Sequence, residues 1–297
     1  MMAFQYPNAS IVIASFNNKV VLEKVLKAML VLDYPAEFEI IVVDDGSSDG
    51  TVEMLHEKFG NEKKIGVISF GANRGVCKAR NEGIGAAGYP IVVNMDHDCI
   101  PSKSWLKDLV KGFEDPKVGV VSSFGSYGGT STAFRKELLD RVHGYDESYF
   151  YYREDTDLTF GIMDLGYEYK VVKADYVHDH KEVAPKGKKA MLRYVLKRLR
   201  YHENDALLFK KHPLLAAPFL HVKLGFLVDP RQDFRVVVNR WEGSSKRLKL
   251  GSPRGIVLLE NKSPLHAIAI ILMGIVYVFA IKFYRLAGSI RFGKLLL

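Results

Sequence analysis

The chain has 297 residues, 48% of them hydrophobic and 26% charged, with a formal net charge of +8 and a pI of about 9.2. That excludes a disordered or fibrous chain and leaves room for one large domain, or a domain with an appendage. A basic balance suits phosphorylated ligands, anionic lipid or nucleic acid. The two cysteines, Cys77 and Cys99, are too few for a disulfide framework and lack metal-site spacing, which points to a reducing compartment.

The opening segment, MMAFQYPNAS, has no basic stretch followed by an apolar core, so no signal peptide is expected. The sequons at Asn8 and Asn261 then read as chance matches. From residue 10 the chain alternates. SIVIASF (10–16), FEIIVVDD (38–45), KIGVISF (64–70) and PIVVNMD (90–96) are apolar runs of strand length. Residues 19–32, 50–60 and 76–88 between them read as helices, with Leu22, Val25, Leu26, Met29 and Leu30 on one face. Such alternation predicts a mostly parallel sheet flanked by helices. Ligands of such sheets bind beyond the carboxyl ends of the strands. FNN, DDGSSDGT and DHD stand at those ends.

From about residue 185 the texture changes. Residues 186–262 predict a basic amphipathic helical extension, with Met191, Leu192, Val195, Leu196 and Leu199 at helical spacing. The apolar run 214–228 is broken by Pro218, His221 and Lys223. Residues 265–281 contain no Asp, Glu, Lys or Arg and are followed by Lys282, Arg285, Arg291 and Lys294. The stretch 263–297 therefore predicts a hydrophobic helix with a basic tail. Its apolar part is marginal for a span of about 20 residues, so a helix buried on the catalytic domain is the alternative, but the basic helix at 188–200 and the run 214–228 offer further interfacial surface and favour a membrane anchor.

The chemistry gathers at strand ends. Asp96 and Asp98, separated by His97, are like charges that need a cation between or beside them. Mg²⁺ or Mn²⁺ bridging a diphosphate is the natural partner, because such ions take one or two carboxylates plus substrate phosphates. A D-x-D pair alone is a weak signal, since a solvated turn carries it equally well. Asp44 and Asp45 strengthen it: they precede the Gly46–Ser47 turn, and a carboxylate there can accept N–H donors of a nucleobase. Ser48 or Asp49 can cap the helix that follows.

Together these stretches resemble the family 2 glycosyltransferases of the GT-A (Rossmann-like) fold. SIVIASFN resembles the family's opening strand and IIVVDDGSSDGT its nucleotide-binding turn. NRGVCKARNEGI (73–84), NMDHDC and GYDESYFYYREDTDLTFGIMDLGY (144–167) resemble its next three motifs, in the family's order. The resemblance implies a donor site of Ser15, Phe16, Asn17, Asp44, Asp45, Asn73, Arg80 and Asp96, with Asp45 at the base and Asp96 at the ribose or sugar. It implies Asp98 as metal ligand, with Asp96 beside it and His178 or His180 of VHDH near the metal and diphosphate; a neutral imidazole is a competent ligand. It implies Asp155 of the Glu154–Asp155 pair as catalytic base, although either residue could instead be a first-turn acid favoured by a helix dipole. The expected domains are a catalytic domain over 1–185 (donor half 1–98, acceptor half 99–185), the extension over 186–262 and the apolar helix with its tail over 263–297.

Two departures qualify the resemblance. Ala14-Ser15-Phe16 stands where Pro-Thr-Tyr is usual, so Phe16 can stack on a base without offering a hydroxyl. No Q-x-x-R-W element is seen, which argues for one sugar per encounter. The implied reaction is inverting transfer from a UDP-, GDP- or dTDP-sugar to an acceptor hydroxyl, on a polyprenyl-linked or other glycan at a membrane, with the catalytic domain in the cytoplasm. A sugar-nucleotide nucleotidyltransferase would need a Gly-rich, Arg-containing loop after the first strand, which is absent. A nucleic-acid-binding protein would interleave its basic residues with exposed aromatics. Here they concentrate from 186 to 249 beside apolar runs, so no nucleic-acid partner is expected.

Overall fold

The computed structural model describes residues 4–149, 151–179, 185–240, 248–251 and 257–297. The chain divides into two compact units, Met1–His180 and Lys181–Leu297.

The first unit runs β1 (Ala9–Ser15), α1 (Lys19–Met29), β2 (Phe38–Asp44), α2 (Thr51–Phe59), β3 (Ile65–Ser69), α3 (Val76–Ala86), β4 (Ile91–Asn94) and β5 (Cys99–Pro101). It continues through α4 (Trp105–Val110), a 3₁₀ turn at Lys111–Glu114, β6 (Val118–Ser122), β7 (Thr132–Arg135), α5 (Lys136–Arg141), α6 (Glu154–Asp164), β8 (Glu168–Val171) and β9 (Tyr176–His178). Seven strands form one sheet in the order β3-β2-β1-β4-β7-β6-β8. The four strands expected from sequence, β1 to β4, are its parallel half; β7 runs antiparallel to both β4 and β6. Ile11, Ile13, Ile40, Val42, Ile91 and Val93 are buried in the core with Leu22, Leu26 and Met29 of α1. Strands covered on both faces are apolar at successive positions, which is why they read as continuous runs.

The fourth strand ends two residues earlier than its sequence suggests. The Met95 N–H still donates to the Val12 carbonyl, but the Asp96 N–H donates to Thr130 Oγ1 (3.0 Å). The chain thus leaves the sheet just before the acid pair. It re-forms as β5, which pairs antiparallel with β9 so that Cys99 faces His178.

The second unit contains α7 (Lys188–Arg200), α8 (Glu203–Lys211), α9 (Pro213–Phe219), β10 (Val222–Lys223), β11 (Leu227–Val228), α10 (Pro230–Val237), β12 (Val238–Arg240), β13 (Leu248–Gly251), β14 (Val257–Glu260) and α11 (Pro264–Phe292). The stretch 186–262 is therefore not helical throughout. Pro218, His221 and Lys223 break the apolar run, so it becomes a short helix and a two-stranded hairpin, and β12-β13-β14 form a small antiparallel sheet. The hydrophobic helix expected within 263–297 runs from Pro264 to Phe292, eleven residues beyond the uncharged run 265–281. Two of its charged residues, Lys282 and Arg285, are neutralised rather than solvated, while Arg291 stays exposed. Arg285 forks onto Asp233 (2.7 and 2.8 Å) and donates to Asp205 (2.9 Å), and Lys282 pairs with Asp233 (3.0 Å).

Candidate active site

The carboxyl ends of β1 and β2 meet the loop after β3. Asn17 adopts a left-handed φ of 49°, which Asn tolerates better than most residues. Its N–H donates to Ser47 Oγ (2.9 Å) and its Oδ1 accepts the Ser48 N–H (2.8 Å), fastening the end of β1 to the DDGSS turn. Asp44 is fully buried; its Oδ2 accepts the Ser47 N–H (3.0 Å), and its Oδ1 has no hydrogen-bond partner. Asp45 spends both oxygens on backbone: Oδ1 accepts from Arg74 N–H (2.6 Å) and Oδ2 from Gly75 N–H (3.0 Å). It thus holds the loop that carries exposed Asn73. Asp49, not Ser48, serves the next helix, accepting from Thr51 N–H (3.2 Å) and also from Lys19 N–H (3.0 Å). Phe16 is 42% exposed beyond β1, placed to offer a ring face.

A second group assembles around Arg80, from the middle of α3. Its guanidinium is buried and donates to Asp96 Oδ1 (3.0 Å) and to Asp155 Oδ1 (2.9 Å), with Glu154 Oε1 at 4.0 Å. One cation therefore ties the first acid of D-x-D to the first turn of α6. Asp155 Oδ1 also accepts from the Tyr145 hydroxyl (3.0 Å), and the Tyr145 oxygen accepts from Asn94 Nδ2 (2.6 Å). Both of these Asp155 bonds fall on Oδ1, so Oδ2 keeps its lone pairs among the described residues. Burial, and then the Asp155 charge, push the Tyr145 phenol well above its ordinary range and keep it a donor. Burial raises the Asp155 carboxyl while Arg80 opposes the rise. Glu154, buried with Oε2 unpaired, is pushed up to about 7 by burial and then by the Asp155 charge. No side chain caps α6; Glu154, Asp155 and Asp157 are its first-turn acids, and Asp157 accepts from the Tyr149 hydroxyl (3.0 Å).

A third group follows from the β5–β9 pairing. Asp98 Oδ1 lies 3.1 Å from His178 Nε2, and Cys99 joins them in a cluster whose ligand atoms lie within 4.8 Å of one another. Burial pushes the Cys99 thiol far up, and a thiol is a soft donor poorly matched to Mg²⁺ or Mn²⁺. That leaves a carboxylate and an imidazole, a donor set that fits an Mg²⁺- or Mn²⁺-type cation. His180 lies outside the described residues.

Sequence reasoning missed three participants. His97 Nδ1 accepts the Phe16 N–H (3.3 Å) and lies 3.3 Å from Ser15 Oγ, linking the D-x-D turn to β1. Tyr145 and Asn94 complete the Asp155 network. Asn94 gave a signal, as a polar residue ending an apolar strand; Tyr145 gave none beyond its place in the GYDESY motif. The Gly-rich loop between β6 and β7 also reaches Asp155: Gly128 has a φ of 109°, and a Cβ there would lie 2.8 Å from the Asp155 carbonyl oxygen.

Residues 10–180 match the family model described as "Glycosyl transferase family 2". The probable glycosyltransferase YdaM of Bacillus subtilis (strain 168) is 28% identical over 211 residues, covering 57% of this chain and 50% of that protein. A poly-beta-1,6-N-acetyl-D-glucosamine synthase of Staphylococcus epidermidis is 34% identical over 119 residues, covering 40% of this chain and 28% of that protein. The chain thus spans about half the length of the first relative and about a quarter of the second. Among solved structures, the mannosyltransferase PcManGT from Pyrobaculum calidifontis, in complex with GDP-Man and Mn²⁺, has a TM-score of 0.60 at 20% identity, over 97% of this chain and 87% of that one. S. aureus TarS 1–349 in complex with UDP has a TM-score of 0.50 at 22% identity, over 77% of this chain and 79% of that one. At these identities the structural likeness concerns the fold.

Proposed function

Given that the chain belongs to glycosyl transferase family 2, we propose that it moves one sugar from a nucleoside-diphosphate donor to an acceptor hydroxyl with inversion. The observation that carries this reading is the Arg80 bridge between Asp96 and Asp155, which sets a donor-side acid and a candidate base on one guanidinium. Asp155 is the base. Its Oδ1 is occupied by Arg80 and Tyr145, which orient the carboxylate, so Oδ2 takes the proton of the attacking hydroxyl. Burial raises its proton affinity, as a base working near neutrality needs. Phe16 stacks on the nucleobase. Asp44, Asp45 and Asn73 frame that pocket, with Asp45 acting through the Arg74–Gly75 backbone that it holds.

Asp98 and His178 would hold a divalent cation, Mn²⁺ or Mg²⁺, with Asp96 beside them. When bound, such an ion offsets the charge of a departing nucleoside diphosphate. The neighbours bound to GDP-Man with Mn²⁺ and to UDP support a nucleotide-sugar donor. The synthase relatives support a glycan acceptor and the apolar helix α11 supports a membrane location; there the acceptor would be a polyprenyl-linked or other glycan, with the catalytic unit in the cytoplasm, where nucleotide sugars are expected.

The test is transfer from UDP-, GDP- and dTDP-sugars with Mn²⁺. Asp155→Asn should lose transfer by about 10²-fold or more, the usual contribution of a positioned base. Its affinity for the nucleotide sugar should hardly change, because a base acts on the acceptor. Near-normal transfer by both Asp155→Asn and Glu154→Gln would place the base elsewhere.

A further inference from the structure

From Ile270 onward helix α11 buries one narrow face, while residues 264–269 bury none. Ile270, Gly274, Tyr277, Ile281, Arg285 and Gly288, spaced three or four apart, are buried. The rest of the circumference is largely exposed and apolar, from Ile271 and Met273 on the flanks to Leu272, Phe279, Phe283 and Ile290 opposite, Phe279 at 71% and Ile290 at 77%. This apolar stripe runs past Lys282 and Arg285 without interruption, because both charges turn inward to Asp205 and Asp233.

The buried face is committed to neighbouring elements at both ends, an apolar cluster with Val237, Val238 and Leu250 and, further on, the acids Asp205 and Asp233. The backbone approaches Phe234 and Val238 at Gly274 and the Glu203 carbonyl at Gly288, so closely that no Cβ fits at either position. Its N-terminal part, the stretch apolar enough to cross a bilayer, packs on α10 and on β12–β14. Those elements bring Asp233, Lys249 and Glu260 and a three-stranded sheet whose outer strands pair with no further strand among the described residues. A spanning α11 would carry these groups into hydrocarbon, where open sheet edges and unpaired backbone groups are not tolerated.

Resting on the membrane association proposed above, we infer that α11 lies in the plane of an anionic bilayer surface, with its outer stripe in the acyl boundary, and does not cross it. Charge complementarity selects this occupant. Residues 181–297 carry 23 Lys and Arg against 7 Asp and Glu, a net charge of +16, whereas residues 1–180 carry 19 against 27. Helix α7, which packs on α11, exposes Leu192 and Leu196 beside Arg193 and Lys197, the mixed apolar and basic face of an interfacial helix. A length of about 44 Å, at 1.5 Å per residue, is no constraint for a helix lying in the plane.

The test uses the full chain with single cysteines at Lys262→Cys, Phe279→Cys and Lys294→Cys, in sealed membrane vesicles of the expressing cell, labelled with an impermeant maleimide. Cys77 and Cys99 are buried and set the background. The two end positions should label alike, both or neither, before permeabilisation, and Phe279→Cys should stay protected until detergent is added. One end labelled and the other protected would mean a spanning helix and overturn the inference. Flotation of the same preparations separates the outcomes: a protein that does not float refutes membrane association itself, and a soluble dimer would assign the stripe to a second copy. Donor hydrolysis measured in parallel reports independently on the transferase reading. Phe279→Glu should lower partition onto phosphatidylcholine vesicles containing phosphatidylglycerol by about tenfold or more, with donor hydrolysis in detergent unchanged; unchanged partition would also refute the inference.

Discussion

Arg80 is the residue on which the candidate site depends most, and removing its charge is the most informative perturbation. Arg80→Met keeps much of the buried aliphatic stem and deletes the guanidinium. Asp96 and Asp155 each lose a charge-assisted bond of about 3 Å, and Glu154 loses a cation at 4.0 Å. Breaking a buried ion cluster by removing one partner costs about 3–5 kcal/mol. Here the side chains of Asp96 and Asp155 are 37% and 21% exposed, so water recovers part of that. The expected loss is about 2–4 kcal/mol near neutral pH.

The pH dependence carries the sign. Without Arg80 the folded-state carboxyls of Glu154 and Asp155 rise further above their ordinary values of 4.5 and 3.8. A folded state that binds more protons than the unfolded one loses stability as pH rises. The deficit of Arg80→Met should therefore be largest at about pH 8 and shrink toward about pH 5 as the acids protonate. Arg80→Lys keeps a charge but not a fork, so it reaches one acid and should fall between. Urea unfolding followed by circular dichroism at both pH values measures this. A loss below about 1 kcal/mol at the higher pH, or one equal at both, would refute the reading of Arg80 as the counter-ion of three acids.

Asp98→Ala should abolish the metal-dependent part of nucleoside-diphosphate binding while thermal unfolding of the metal-free protein barely moves; calorimetry with and without Mn²⁺ decides, and an unchanged metal-dependent affinity would remove Asp98 as ligand. Glu154, at about 7 in the folded chain, should make the wild type lose stability as pH rises from about 4.5 through 7. Glu154→Gln should flatten that slope, worth up to about 3 kcal/mol at 1.36 kcal/mol per pKa unit. An unaltered melting-temperature profile would mean that Glu154 does not titrate there.

The parallel half of the sheet was legible because fully buried strands show as runs of Ile and Val. The antiparallel pairings were not, whether at β7 in that sheet or in the separate β5–β9 pair. β5 and β9 have three residues each and β7 four, too short for periodicity to register. That shortness hid the β5–β9 pairing, the reason His178 rather than a more distant group meets Asp98. In the second unit the hydropathy of 264–281 was plain, but the helix end was not, because the partners of Lys282 and Arg285 lie more than 45 residues away at Asp205 and Asp233.

The candidate site repeats this lesson at higher resolution. Its motifs were readable one at a time, and each suggested a separate role, with Arg80 serving the nucleotide, Asp96 the sugar and Asp155 the acceptor proton. Packing makes them one electrostatic unit, since a single guanidinium serves both acids. At Asp155, the base proposed above, burial raises the carboxyl while Arg80 and the Tyr145 hydroxyl, both on Oδ1, oppose the rise. The same guanidinium carries the state of Asp96 to Asp155. Any change that draws Asp96 away from Arg80 raises the share of the positive charge felt by Asp155 and lowers its proton affinity. Donor-side and acceptor-side substitutions in this cluster should therefore not add independently, because both act on a charge they share.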